Sequence, residues 1–176
     1  MTNESINKYC DDALCRIADG DIQALSIIYD KLGRRIFLLA LSILKDKESA
    51  EDIMQDTFVK IASEAHAYKE NSNAVAFILT VTRNLSLNLL AKRRRNTTME
   101  LTDQIDTYAT DMQEYAPKLS ALEALSLLDD DERQIVIMKI DGKMKHKDIA
   151  PILGVTAEAC QKRYRRALEK LKRFYI

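Results

Sequence analysis

Ala150 and Gly154, four residues apart in Asp148-Ile149-Ala150-Pro151-Ile152-Leu153-Gly154-Val155-Thr156, constrain the fold of this chain most tightly, because that spacing fits the crossing and the turn of a helix-turn-helix. Two helices that meet closely need a small side chain where they cross, which Ala150 supplies. The turn between them needs a residue free of Cβ, which Gly154 supplies. Thr156 is placed to cap the second helix with its hydroxyl, and Cys160 falls where that helix needs a compact apolar residue facing the first. The outward face then carries Glu158, Gln161, Lys162, Arg165 and Arg166. Side chains of these types reach base edges in a major groove and the phosphates beside it. The plain alternative is a helical hairpin with a solvated basic face.

With 4 Gly and 2 Pro in 176 residues, little material is present for the turns of a β fold, so the chain is expected to be all-α. No run of eighteen apolar residues occurs, and the N-terminus lacks the basic start and apolar core of a signal peptide. A soluble, cytoplasmic protein is expected. The three cysteines, Cys10, Cys15 and Cys160, are odd in number and irregular in spacing, which predicts free thiols. Cys10 and Cys15 with His66 or His146 match no common zinc pattern, so no metal and no other cofactor is assigned.

The formal net charge of +0 conceals a strong division along the chain. From Thr97 to Glu132 ten acids face Lys118 alone, about −9, and from Arg133 onward twelve Lys and Arg face four acids, about +8. A second cationic block, Lys92-Arg93-Arg94-Arg95, closes the N-terminal half. Two basic surfaces separated by an acidic connector suit two grips on one nucleic acid.

Periodicity predicts a helix through Ile22, Leu25, Ile28, Tyr29 and Leu32 that ends near Gly33, then another from about Arg34 to Leu44. Ala50, Ile53, Met54, Thr57, Phe58 and Ile61 form one packed face of the next, with Asp46 as its cap and Glu48 and Glu51 at its positive end. Its opposite face is a polar row of Asp52, Gln55, Asp56 and Lys60. After Lys69-Glu70-Asn71-Ser72, a long helix from about Asn73 to Arg94 is expected to pack through Phe77, Ile78, Val81, Leu85 and Leu89. Arg83, Asn84, Asn88 and Lys92 share its polar side, where amides and guanidinium groups can read unstacked bases. Two small helical domains, 1–96 and 118–176, are expected, joined by an acidic linker over 97–117. In the second, Leu119, Leu122, Leu125 and Leu128 form a stripe, and Asp129 and Glu132 have capping-box spacing. Ile135, Val136, Met138 and Ile140 supply apolar surface before Asp141-Gly142, and Pro151 requires the first helix of the motif to be short.

Two ordered motifs suggest a family. Glu48-Ser49-Ala50-Glu51-Asp52-Ile53-Met54-Gln55-Asp56-Thr57-Phe58, followed by Thr82-Arg83-Asn84-Leu85 and the block Lys92-Arg93-Arg94-Arg95, resembles region two of bacterial RNA polymerase sigma factors of the extracytoplasmic-function group. Leu128 to Leu171 resembles region four, with Glu132-Arg133-Gln134, Asp148-Ile149-Ala150, Leu153-Gly154-Val155 and Arg163 through Ala167 in matching order. The resemblance implies a subunit without catalysis of its own that binds core RNA polymerase and directs initiation at promoters. It implies that Asp52, Gln55, Asp56, Phe58 and Lys60 meet the clamp helices of the polymerase. Arg83, Asn84, Asn88, Lys92, Arg93, Arg94 and Arg95, with the Lys69 to Ser72 loop, would hold the minus-ten element. Thr156, Glu158, Gln161, Lys162, Arg165 and Arg166 would read the minus-thirty-five element while the rest of that domain sits on the polymerase flap. An anti-sigma partner is common in the group, and no small-molecule substrate is implied. Where the family usually carries Trp, Asp and Arg, this chain has Phe77, Asn88 and Ala91. Asp129 stands where Pro is usual, and Lys145 where Ser or Thr is usual.

Two other classes compete. A free-standing helix-turn-helix regulator would need only the C-terminal part, and the Ala50 to Phe58 motif counts against it. A metal-dependent nuclease using Asp52, Asp56 and His66 lacks a Gly-rich phosphate loop and a ligand cluster of recognisable spacing.

Overall fold

The computed structural model describes residues 3–97, 124–140 and 143–174, and every regular element among them is helical. Helix α1 (Asn3–Ala18) is followed by a 3-10 turn (Ile22–Ala24), α2 (Leu25–Leu44), α3 (Lys47–Glu64), a second 3-10 turn (Ala65–Ala67) and α4 (Ala74–Thr97). Then come α5 (Asp130–Ile140), α6 (His146–Leu153) and α7 (Ala157–Phe174). The expected linker, Leu119, Leu122 and Asp141-Gly142 lie outside the described residues, Thr97 apart.

The starts of these helices follow from their caps. Asp46, in extended backbone, accepts from the Ser49 amide at 3.0 Å and opens α3. Asn73 does the same for α4 through the Ala76 amide at 2.9 Å. Asp129 and Glu132 form a reciprocal capping box at α5. The Glu132 amide donates to Asp129 Oδ1 at 2.8 Å, and the Asp129 amide donates to Glu132 Oε2 at 3.2 Å.

Gly33 does not end a helix. α2 runs unbroken from Leu25 to Leu44, with the Tyr29 ring lying over Gly33. An interior glycine costs only about 1 kcal/mol relative to Ala, and α2 recovers more than that by burying Ile28, Leu32, Ile36 and Leu39 completely. Ile22 and Tyr29, expected to pack, are about half exposed, as is Ile140. α1 is an additional helix, which buries Ile6, Cys10, Ala13, Leu14 and Ile17 on one face.

α4 is turned relative to the expected stripe. Ala74, Val75, Ile78, Leu79, Thr82 and Ser86 are buried, while Phe77, Val81, Leu85 and Leu89 flank them half-buried. Thr82 and Ser86 tolerate burial because their hydroxyls donate to carbonyls one turn back, at 3.1 and 2.9 Å. By length and composition α4 could cross a membrane, but here it is a core helix packed against α1, α2 and α3.

The last three helices share a core with the first four. α5 lies on α2 and α6 on α4, so Ile135, Met138, Met144 and Ile149 belong to the same apolar cluster as Leu32, Ile36 and Ile78. Arg133 joins the two parts. Its guanidinium is buried and donates to the carbonyls of Leu125 (3.0 Å), Ser42 (3.1 Å) and Leu128 (2.7 Å) and to Asp130 Oδ1 (3.0 Å). Lys45 lies 3.4 Å from Asp130, and Lys145 pairs with Glu4 at 2.9 Å.

Candidate nucleic-acid interface

The helix-turn-helix forms as its spacing requires. Ala150 is buried, Gly154 closes α6 in the left-handed region at φ 67°, and the Val155 amide returns to the Ala150 carbonyl at 3.0 Å. α6 has eight residues, short enough for Pro151, which lies on its exposed side. Lys145 occupies the N-cap without a side-chain cap bond; its ammonium reaches Glu4 instead. Thr156 Oγ1 accepts from the Ala159 amide at 3.2 Å, and Cys160 is fully buried.

α7 sorts its charges by face. Thr156, Glu158, Gln161, Lys162, Arg165 and Arg166 are all exposed. Glu158 is held below the usual carboxylate range by its own backbone amide and then by the Thr156 hydroxyl. Arg163 and Lys170 point the other way and bond to Asp131 and Glu132 at the start of α5. The acidic run 129–132 is thus a folded support for the second helix of the motif.

On α4, Asn84, Asn88, Lys92, Arg93, Arg94 and Arg95 are exposed, and Arg83 is half-buried. Arg83 and Arg93 make contacts within the molecule that tie α4 to other helices. Arg83 Nε donates to Gln134 Oε1 on α5 at 3.1 Å. Arg93 donates to Ser49 Oγ and lies 3.6 Å from Asp46, tying the end of α4 to the start of α3. The motif Glu132-Arg133-Gln134 therefore serves three structural purposes: a cap, a buried junction and a contact to α4.

On α3, Asp52, Gln55, Asp56 and Lys60 are exposed along one side, Lys60 paired with Glu64. Phe58 stands apart from this row. It is half-buried, with its ring 5.7 Å from that of Tyr29. Val59, exposed at 68 %, continues the row instead, a residue that the search for charge overlooks. Between α3 and α4 runs a groove of about 430 Å³, with Asp52, Ile53 and Asp56 on one wall and Leu85, Asn88, Leu89, Lys92 and Arg95 on the other. An anionic wall faces a cationic one across an apolar floor.

All three thiols are free, and Cys10 is pushed up to about 12 by burial. Among the described residues no three His, Cys, Asp or Glu side chains gather as metal ligands. Asp52, Asp56 and His66 are not brought together as such a group.

The sequence model for Sigma-70 region 2 matches residues 28–96, and that for Sigma-70 region 4 matches residues 118–171. The ECF RNA polymerase sigma factor EcfG of Rhodopseudomonas palustris is 28% identical over 138 residues, covering 75% of this chain and 74% of that protein. The ECF RNA polymerase sigma factor SigM of Bacillus subtilis is 25% identical over 153 residues, covering 84% and 93%. Among solved structures, the sigma factor RpoE of Bartonella quintana, crystallised with the anti-sigma factor NepR, gives a TM-score of 0.72 at 21% identity, covering 84% of this chain and 93% of that one. CnrH in complex with the cytosolic domain of CnrY gives 0.70 at 18% identity, covering 95% and 97%.

Proposed function

The chain belongs to the sigma-70 family, in its extracytoplasmic-function group, and on that premise we propose which of its surfaces carry out each step of initiation. As a sigma factor it binds core RNA polymerase and directs promoter-specific transcription, without catalysis of its own. It acts where the polymerase and the chromosome are, in the cytoplasm. The chain divides functionally into 1–96 and 118–176 with 97–117 as the connector.

The outward row of α3, Asp52, Gln55, Asp56 and Lys60 with Val59, docks on the polymerase clamp helices. On α4, Arg83, Asn84 and Asn88 meet unstacked bases of the minus-ten element together with the Lys69 to Ser72 turn, and Asn88 also lines the groove. Lys92, Arg94 and Arg95 follow the phosphates, and Arg93 braces the helix. No nucleotide hydrolysis is required, because pocket contacts to an extruded base offset the few kcal/mol of lost stacking. The exposed face of α7 reads the minus-thirty-five element as duplex. An anti-sigma partner is a third ligand, as NepR is for the Bartonella protein.

One observation carries this reading: α7 turns Gln161, Lys162, Arg165 and Arg166 outward while committing Arg163 and Lys170 to α5. Run-off transcription with core polymerase on fragments of the source genome tests it. Specific transcripts that depend on the protein support it. Loss of those transcripts in Arg165→Ala and in Asn88→Ala would assign the two DNA contacts, and unchanged promoter use by both would refute the assignment.

A further inference from the structure

The turn that leads into α4 is held from outside by α1, a helix that precedes the residues matched by either family region. Asn7 and Asp11 stand one helical turn apart on one face of α1. Asp11 Oδ1 accepts from the Tyr68 hydroxyl at 2.5 Å and from the Asn71 amide at 2.8 Å. Asn7 Nδ2 donates to the Ser72 carbonyl at 3.2 Å, and Asn7 Oδ1 accepts from the Val75 amide at 3.2 Å. Four bonds from two side chains therefore grip both ends of the 69–73 turn.

Within the turn, the Ser72 amide donates to the Lys69 carbonyl at 3.2 Å and Asn73 caps α4, bonds that are all local in sequence. Ser72 bonds back to the Lys69 carbonyl through its hydroxyl at 2.6 Å, and Tyr68 packs its ring 5.3 Å from Phe77. Asn71 adopts φ 61°, a conformation that a residue bearing a side chain enters at a cost. The Asp11 carboxylate, accepting the Asn71 amide, favours that conformation. Lys69, Glu70, Asn71 and Ser72 meanwhile keep their side chains in solvent, available to a strand passing over α4.

We propose that Asn7 and Asp11 are positioning residues for minus-ten capture, holding the Tyr68–Val75 turn in its strand-binding form before DNA arrives. This rests on the assignment of that turn and α4 to the minus-ten element. A turn ordered only part of the time binds in proportion to its ordered fraction. Loss of the two bonds to Asp11, each worth roughly a factor of five, lowers capture on the order of tenfold or more.

The test uses the full chain with core polymerase. Three quantities are measured: binding of a minus-ten non-template oligonucleotide to holoenzyme, affinity for core, and thermal unfolding. Asp11→Ala and Asn7→Ala are expected to weaken oligonucleotide binding about tenfold while core affinity changes less than twofold. Asp11→Asn, which keeps an acceptor oxygen for both donors, is expected to restore capture. Capture unchanged in Asp11→Ala, while Arg83→Ala and Asn88→Ala lose it, would overturn the positioning role alone. Capture and core affinity falling together, in step with a lowered unfolding temperature, would overturn it too and leave Asp11 a stabilising residue only. Capture insensitive to Arg83→Ala and Asn88→Ala would overturn the underlying assignment, and the inference with it.

Discussion

Replacing Gln134 by Leu removes the oxygen that accepts from the Arg83 guanidinium, and it should let the last three helices part from the first four more often in the free protein. The docked arrangement cannot serve both promoter elements. Positions minus ten and minus thirty-five are about 25 base pairs apart, roughly 85 Å at about 34 Å per ten-base-pair turn. On the proposed assignment of the two surfaces, binding at both elements requires separation, and Arg83 would leave Gln134 to meet the minus-ten strand. Because Arg83 is half-buried, this charge-assisted bond belongs at the low end of the range of about 1.5–3 kcal/mol. Losing about 1.4 kcal/mol raises the separated population about tenfold. Leu is close to Gln in volume, so little cavity energy is added. The Arg133 bond to the Ser42 carbonyl remains and limits the effect to that order. Energy transfer between dyes at Glu51 and Glu169, both exposed, reads the separated fraction. Cys10 and Cys160 are buried, so a Cys15→Ser background suffices for labelling through introduced cysteines. An unchanged separated fraction would refute the reasoning. So would altered promoter choice by the variant holoenzyme, in which the proposed assignment has the two parts already separated.

Arg133→Met deprives three carbonyls and Asp130 of a buried cation and should cost about 3–5 kcal/mol in urea unfolding; a loss under about 1 kcal/mol would mean that water replaces the guanidinium. Asp46 is held below its ordinary value of 3.8, first by the Ser49 hydroxyl. Its contribution is thus complete above the unfolded value and lost as pH falls through the lower folded one. Asp46→Asn keeps the cap but should flatten that part of the acid-unfolding curve, and an unaltered curve below about pH 4 would exclude the linkage. Ellman's reagent at pH 8 should label Cys15 alone before unfolding, since Cys10 is buried and pushed up to about 12; rapid loss of two or more thiols would contradict the burial. Arg166→Ala should weaken promoter binding across sequences and reduce the salt slope by about 1 if it contacts phosphate, whereas a change in sequence preference would make it a base contact.

The most legible elements were those whose periodicity and caps agree. For α3, Asp46 and the Ala50, Ile53, Thr57, Ile61 face give the same answer, as Thr156, Cys160 and Ala167 do for α7. In α2, Gly33 has the appearance of punctuation, yet the helix packs on both sides of it. The α4 stripe differs from its apolar period because Thr82 and Ser86, polar by composition, have hydroxyls satisfied within the helix and so can be buried. Family motifs pick out rows that are exposed, but not the ties within the molecule. A one-dimensional pattern says nothing about Arg83 meeting Gln134 across 51 positions, or Asp11 meeting Asn71 across 60. α1 shows the same limit. Its apolar spacing is helical, but its use depends on the distant turn that it grips.

The acidic run before Arg133 marks where charge counting along the chain misleads. Summed by position, Asp129 to Glu132 joins the connector and opposes the basic helix beyond it. Summed in space, Asp131 and Glu132 neutralise Arg163 and Lys170, which lie seven residues apart and therefore on one side of α7. The cations on the other side, Lys162, Arg165 and Arg166, keep their field directed outward. Asp129 and Glu132 at the same time supply the cap that fixes where α5 begins, and so where these acids stand. One short segment thus orients the second helix of the motif and decides which of its cations face outward. Reversing Asp131 to Lys would repel Arg163 and disturb the angle of α7, so promoter binding would fall even though a positive charge had been added. If binding rose instead, net charge rather than helix orientation would govern the contact.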